Sequence, residues 1–113
     1  MYNKRLLLYL SDIMESINAI NDYIVSITFE EFSRDRKTHM AVICEFEIID
    51  EAVKNIPNTI TLQYPDIQWR DIVDFRNLLI HQYFGVDLEI VWKTIHEDLP
   101  ALKNAIHNIE KNL

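Results

Sequence analysis

"LLLYLSDIMESINAINDYI", residues 6–24, decides the fold class. Leu6, Leu10, Ile13, Ile17, Ile20 and Ile24 follow one another at steps of 4-3-4-3-4. That spacing lines one side of an α-helix and fits no strand. The stripe predicts a long helix with a single buried face, and such a face must be covered by other elements.

Working outward, the rest of the chain repeats the pattern. Thr28 with Glu31 three positions on predicts a capping box at a short helix start. After the basic "SRDRKTH" (33–39) comes a second apolar series, Ala41, Cys44, Ile48 and Ala52, flanked by Val42, Phe46, Ile49 and Val53. It predicts a central helix with a wide apolar face, Cys44 among its core residues, ending near Pro57. "NTITLQYP" (58–65) is expected to be a connection, too isolated to pair as a strand. Pro65 and Asp66 suit the first turn of the next helix. Trp69, Ile72, Val73, Leu79 and Ile80 form its core stripe, and Gly85 suits a left-handed cap at its end. Asp87 caps a short helix containing Ile90, Val91, Trp92 and Ile95. Pro100 lies near the start of the last helix, with the stripe Leu102, Ile106, Ile109 and Leu113.

Composition agrees. The chain has 113 residues, 49 % of them hydrophobic, with one glycine and three prolines. This length supports one domain with one core, and so few turn-formers argue against a sheet protein. The expectation is a single all-α domain over residues 1–113. It is an up-and-down four-helix bundle with one or two short extra helices. The net charge of −7 opposes bulk attraction to nucleic acid but leaves room for a local site. Cys44 is the only cysteine, so neither an intramolecular disulfide nor a cysteine-cluster metal site can form. No apolar run approaches the ~20 residues of a membrane span, and a cytoplasmic location is expected.

The chemistry-bearing stretch is "FRNLLIHQYFG", 75–85. On a helical wheel Arg76 falls at the centre of the apolar stripe, with Trp69, Ile72, Val73, Leu79 and Ile80 within about 60° of it and Tyr83 about 20° away. Asn77 and His81, four apart, share the neighbouring stripe. An arginine on an apolar face needs a carboxylate, a carbonyl or an incoming anion. Glu45, Glu47, Asp50 and Glu51 are structural partners to consider, as is snorkelling to water. His39, His96 and His107 show no ligand spacing, and the pairs Glu30-Glu31, Asp50-Glu51 and Glu97-Asp98 read as solvated faces or caps.

"RNLLIHQY" (76–83) resembles the Arg-x(4 to 6)-His signature of the HEPN superfamily, and in particular the Arg-Asn-x3-His-x-Tyr motif of its HepT-like branch. The resemblance extends through "DRKTHMAVICEFEII" (35–49), "IIDEA" (48–52), "DIQWRDIVDFRN" (66–77) and "YFGVDLEIVWKTIHEDLPAL" (83–102). Asp50 stands where the family commonly has glycine, and Asp74-Phe75 where it commonly has Gly-Met.

The resemblance implies a HEPN-like helical fold and a toxin ribonuclease of a two-gene toxin–antitoxin module. It implies a homodimer with the site at its interface and metal-free cleavage of RNA, with no cofactor. The partner it implies is an MNT-type nucleotidyltransferase antitoxin that would place AMP on the motif tyrosine, here Tyr83. Arg76 and His81 are the expected catalytic residues and Asn77 a phosphate-positioning one. The alternative is a non-catalytic helical subunit that binds a nucleotide or substrate for a nucleotidyltransferase partner. Arg76 and His81 are five residues apart, about 140° around a straight helix. Either the helix distorts before Gly85 or the site is shared across a two-fold axis, and the shared site is the preferred expectation.

Overall fold

A computed structural model describes residues 3–73 and 87–113, and over those residues all regular structure is helical. Seven helices follow in order: α1 (Asn3–Ile24), α2 (Phe29–Arg34), α3 (Arg36–Val53), α4 (Asn58–Thr61), α5 (described over 69–73), α6 (Leu88–Glu97) and α7 (Leu99–Lys111). The predicted all-α helical bundle with short extra helices is the fold observed.

The α1 stripe behaves as its spacing requires. Leu6, Leu10, Ile13, Ile17, Ile20 and Ile24 are all buried, four of them completely. They pack mainly against α3 and secondarily against α7. Val42, Phe46, Ile49 and Val53 supply the α3 side, and Leu102, Ile106 and Ile109 the α7 side. Leu113, expected on the last stripe, lies past the end of α7 and is 45 % exposed.

The caps explain where the helices start. Thr28 and Glu31 form the capping box: the Glu31 N–H donates to Thr28 Oγ1 at 3.1 Å and the Thr28 N–H donates to Glu31 Oε1 at 3.1 Å. Asp87 accepts from the Glu89 and Ile90 N–H groups at the start of α6. Asp35 ends α2 and begins α3, accepting from the Thr38 N–H at 3.2 Å. The Thr38 hydroxyl, which donates to Asp35 Oδ2 at 2.7 Å, and then the Thr38 N–H hold the Asp35 carboxyl below its ordinary value. Between α1 and α2 the chain turns through Ser26 at φ 62, a left-handed position usually given to glycine.

Three expectations are corrected. Cys44 is exposed, and Ile48 beside it is 46 % exposed. The buried arc of α3 centres on Val42, Phe46, Ile49 and Val53, keeps the expected Ala52 on one side, and extends on the other to Ile43 and Asp50. Asp50, expected on a solvated face, is only 1 % exposed. Finally, Pro65 and Asp66 precede the helix. The Ile67 N–H donates to the Tyr64 carbonyl at 3.1 Å, closing a turn with Pro65 in its second position, where its fixed φ belongs. The Gln68 carbonyl then accepts from the Ile72 N–H, so α5 starts after it. The connection "NTITLQYP" also contains the single turn α4, with Ile60 packed on the core.

Thr28→Ala removes one cap and lowers stability by about 1 kcal/mol in urea unfolding. Ser26→Gly removes the left-handed penalty and raises stability by about 0.5–1 kcal/mol in the same assay.

Candidate active site

Arg76, Asn77, His81, Tyr83 and Gly85, together with Asp74, Phe75 and the core positions Leu79 and Ile80, lie outside the described residues. What the structure supplies is the frame from which that stretch departs and returns. On the entering side is α5, with Trp69, Ile72 and Val73 packed against the core. The Trp69 indole N–H donates to the Tyr64 carbonyl at 3.1 Å, tying the start of α5 to the turn before it. On the returning side Asp87 caps α6.

The aromatic residues of α6 and α2 brace that return. Trp92 lies 5.0 Å from Phe32 and 6.0 Å from Phe29, ring centre to ring centre. His96 sits 4.5 Å from Trp92, its Nδ1 2.8 Å from the Trp92 carbonyl oxygen. His39 places its Nδ1 3.1 Å from the Phe32 carbonyl oxygen. Both imidazoles therefore serve local backbone contacts within the frame.

A cavity of about 370 Å³ opens between α3, the start of α5 and the α6–α7 junction. Phe46, Ile49, Ile72 and Leu102 give it an apolar floor, while Asp50, Asp66, Asp71, Glu97 and Asp98 bring five carboxylates to its wall. No lysine or arginine lines it among the described residues. Such a wall repels a phosphate backbone. Among the described residues no three His, Cys, Asp or Glu side chains are placed to hold a metal ion. The crowding shows in Asp98: burial pushes its carboxyl above the ordinary value, Glu97 and Asp71 add to the rise, and Lys93 opposes it. The basic residues Arg34, Arg36 and Lys37 stand exposed at the α2–α3 corner.

The sequence around this frame matches the family model "Ribonuclease HepT-like" over residues 13–109. The chain belongs to the HepT-like ribonuclease family. That match spans most of the bundle and contains the whole 76–83 stretch. Among similar proteins, "Probable ribonuclease HepT" of Thermococcus cleftensis is 48 % identical over 103 residues, covering 91 % of this chain and 94 % of the relative. A protein of Methanocaldococcus jannaschii named "Putative RNase" is 40 % identical over 105 residues, covering 93 % and 87 %. Another so named, from Caldanaerobacter subterraneus, is 35 % identical over 101 residues, covering 89 % and 90 %. No solved structure matches the chain.

Sequence reasoning missed the burial of Asp50. Its signal was present: Ile43, Phe46, Asp50 and Val53 follow at steps of 3-4-3, so the aspartate occupies an apolar stripe position.

The raised Asp98 carboxyl has a pH signature. Ionising it costs more in the fold than in the unfolded chain, so the cost is absent when both states are protonated, below the ordinary value of 3.8. It is complete once pH exceeds the raised folded value. Asp98→Asn is therefore more stable than wild type at neutral pH, and the advantage disappears at about pH 2.5, read as urea midpoints at the two pH values.

Proposed function

We propose that this chain is a metal-independent endoribonuclease, the toxin of a HEPN/MNT toxin–antitoxin module. The observation that carries the reading is the HepT-like family match, within which "RNLLIHQY" stands at 76–83. Arg76 and His81 are the catalytic pair, Asn77 positions a phosphate oxygen, and Tyr83 is the site of modification.

The reaction needs no external nucleophile. The ribose 2′-oxygen attacks the adjacent phosphorus, a P–O2′ bond forms, and the bond from phosphorus to the 5′-oxygen of the next nucleotide breaks. A base takes the 2′-proton and an acid returns one to the leaving oxygen, leaving a 2′,3′-cyclic phosphate and a 5′-hydroxyl. Histidine suits proton transfer near neutrality. The arginine fork suits the negative charge that accumulates on the phosphorane-like transition state.

The helical offset between Arg76 and His81 favours a composite site in a homodimer, each subunit presenting the same stretch across a two-fold axis. An MNT-type nucleotidyltransferase antitoxin silences the enzyme by adding AMP to Tyr83. The added anion beside Arg76 and His81 occupies the phosphate site and repels RNA. With a net charge of −7, RNA binding is local and falls steeply with added salt.

Incubation of RNA with wild type, Arg76→Ala and His81→Ala tests the assignment. Cleavage falls by about 100-fold or more in both variants while light scattering still reports dimers. Intact wild-type dimers that bind nucleotide but leave RNA uncut would instead identify a nucleotide-binding helical subunit. Intact mass after incubation with ATP and the nucleotidyltransferase reports AMP units on wild type and none on Tyr83→Phe.

A further inference from the structure

Helix α3 carries two stripes, and the fold buries one. Val42, Phe46, Ile49 and Val53 face the core, while Ala41, Cys44 and Ile48 turn away from it. On this outer side Ile48 is 46 % exposed and Met40 43 % exposed, Cys44 is exposed, and Ala41 is half-buried. Tyr23 of α1, also exposed, borders the patch, its hydroxyl donating to Glu45 Oε2 at 3.1 Å. Single exposed apolar side chains are ordinary. Lys37, Ala41, Cys44, Ile48 and Glu51 follow at steps of 4-3-4-3, the spacing by which one helix packs along another. The described elements leave that seam open.

The charges at its two ends say what covers it. Arg36 and Lys37 stand at the N-terminal end, Glu47 and Glu51 towards the C-terminal end, all exposed. Lys54 lies 3.9 Å from Glu51 in the same chain, both side chains exposed, a pairing that holds little energy. A helix basic at one end and acidic at the other complements its own copy laid antiparallel, and an isologous contact requires that self-complementarity. With a two-fold axis passing Cys44, Lys37 comes level with the partner's Glu51, Ile48 with the partner's Ala41, and the two Cys44 residues meet. A large side chain opposite a small one lets the two helices close on each other.

We propose that the outer face of α3 is where two copies of this chain meet, antiparallel about a two-fold axis at Cys44. This rests on the homodimer of the proposed function and gives it a face. The placement suits a site shared between copies. Asp50 lies about 120° round α3 from Cys44 and walls the cavity together with Ile67 and Ile72, so α5 begins on one flank of the seam. An axis lying across the two helices keeps that flank on the same side for both copies. Both α5 starts therefore come to one side of the dimer.

Cys44 is the only cysteine, so a short bis-maleimide reads the axis directly. Where light scattering reports dimers, it joins wild-type chains into a covalent dimer on a denaturing gel, and Cys44→Ser gives none. Ile48→Asp raises the dimer dissociation constant at least about tenfold, while circular dichroism finds the variant as helical as wild type because Ile48 lies outside the core. Mixing two variants reads the direction. Lys37→Glu and Glu51→Lys each set like charges together in their own dimers but match each other at both ends, so a tagged copy of one captures the other in preference to itself. Dimers that fail to cross-link, or that ignore Ile48→Asp, overturn the proposal and leave the homodimer reading intact. Mixed dimers no more frequent than random pairing overturn the antiparallel arrangement. A monomeric wild type overturns both readings, and loss of nucleotidyltransferase capture by Ile48→Asp would then give the face to that partner. Cross-linked dimers that leave RNA uncut support this face and count against the ribonuclease reading alone.

Discussion

The structure depends on the seam between α1 and α3. Six apolar side chains of α1 meet Val42, Phe46, Ile49 and Val53 of α3 across it, and α7 closes the adjoining side with Leu102, Ile106 and Ile109. Each fully buried isoleucine or leucine contributes roughly 1.5–3 kcal/mol against leaving it exposed, an upper figure because the unfolded chain already hides some of that area. The shorter helices have too few residues to stand alone. They hold their places because α2 sends Phe32 into the core, and α6 sends Val91 and Ile95.

That dependence explains how much could be read in advance. The α1 and α7 stripes were legible because each helix buries one narrow face, which spacing marks without ambiguity. The caps at Thr28 and Asp87 were legible because a side chain two or three residues from its target needs no tertiary information. The α3 face was not. A helix touched on several sides buries a broad arc, and its apolar residues alone leave open which way the arc extends. Cys44 and Ile48 were assigned inward for that reason, and Asp50 outward because it is charged. Only the positions of α1, the α5 start and α7 fix the direction. Pro65 was misread for a related reason: the same fixed φ serves the first turn of a helix and the second position of a tight turn.

The candidate site was legible as chemistry and as register rather than as geometry. Arg76, Asn77, His81 and Tyr83 stand out in the sequence because their combination is specific where each residue alone is common; they lie outside the described residues. The frame contributes what the motif lacks, namely a fixed entry at Trp69, a capped return at Asp87 and a wall of carboxylates beside the entry. Net negative charge and a nucleic-acid substrate are compatible when binding is confined to a local basic site.

Two of the joints in this chain are one residue long. Asp35 is at once the end of α2 and the start of α3, and Asp98 is at once the end of α6 and the start of α7. Neither corner has slack, so an insertion there disturbs two helices together. The stretch from 54 to 68, with its turns and single-turn helix, has spare chain and largely exposed side chains. Length variation, an inserted tag or new termini made by circular permutation belong in that stretch. The corners fix the directions in which the bundle's helices point, and any redesign of this scaffold has to preserve them.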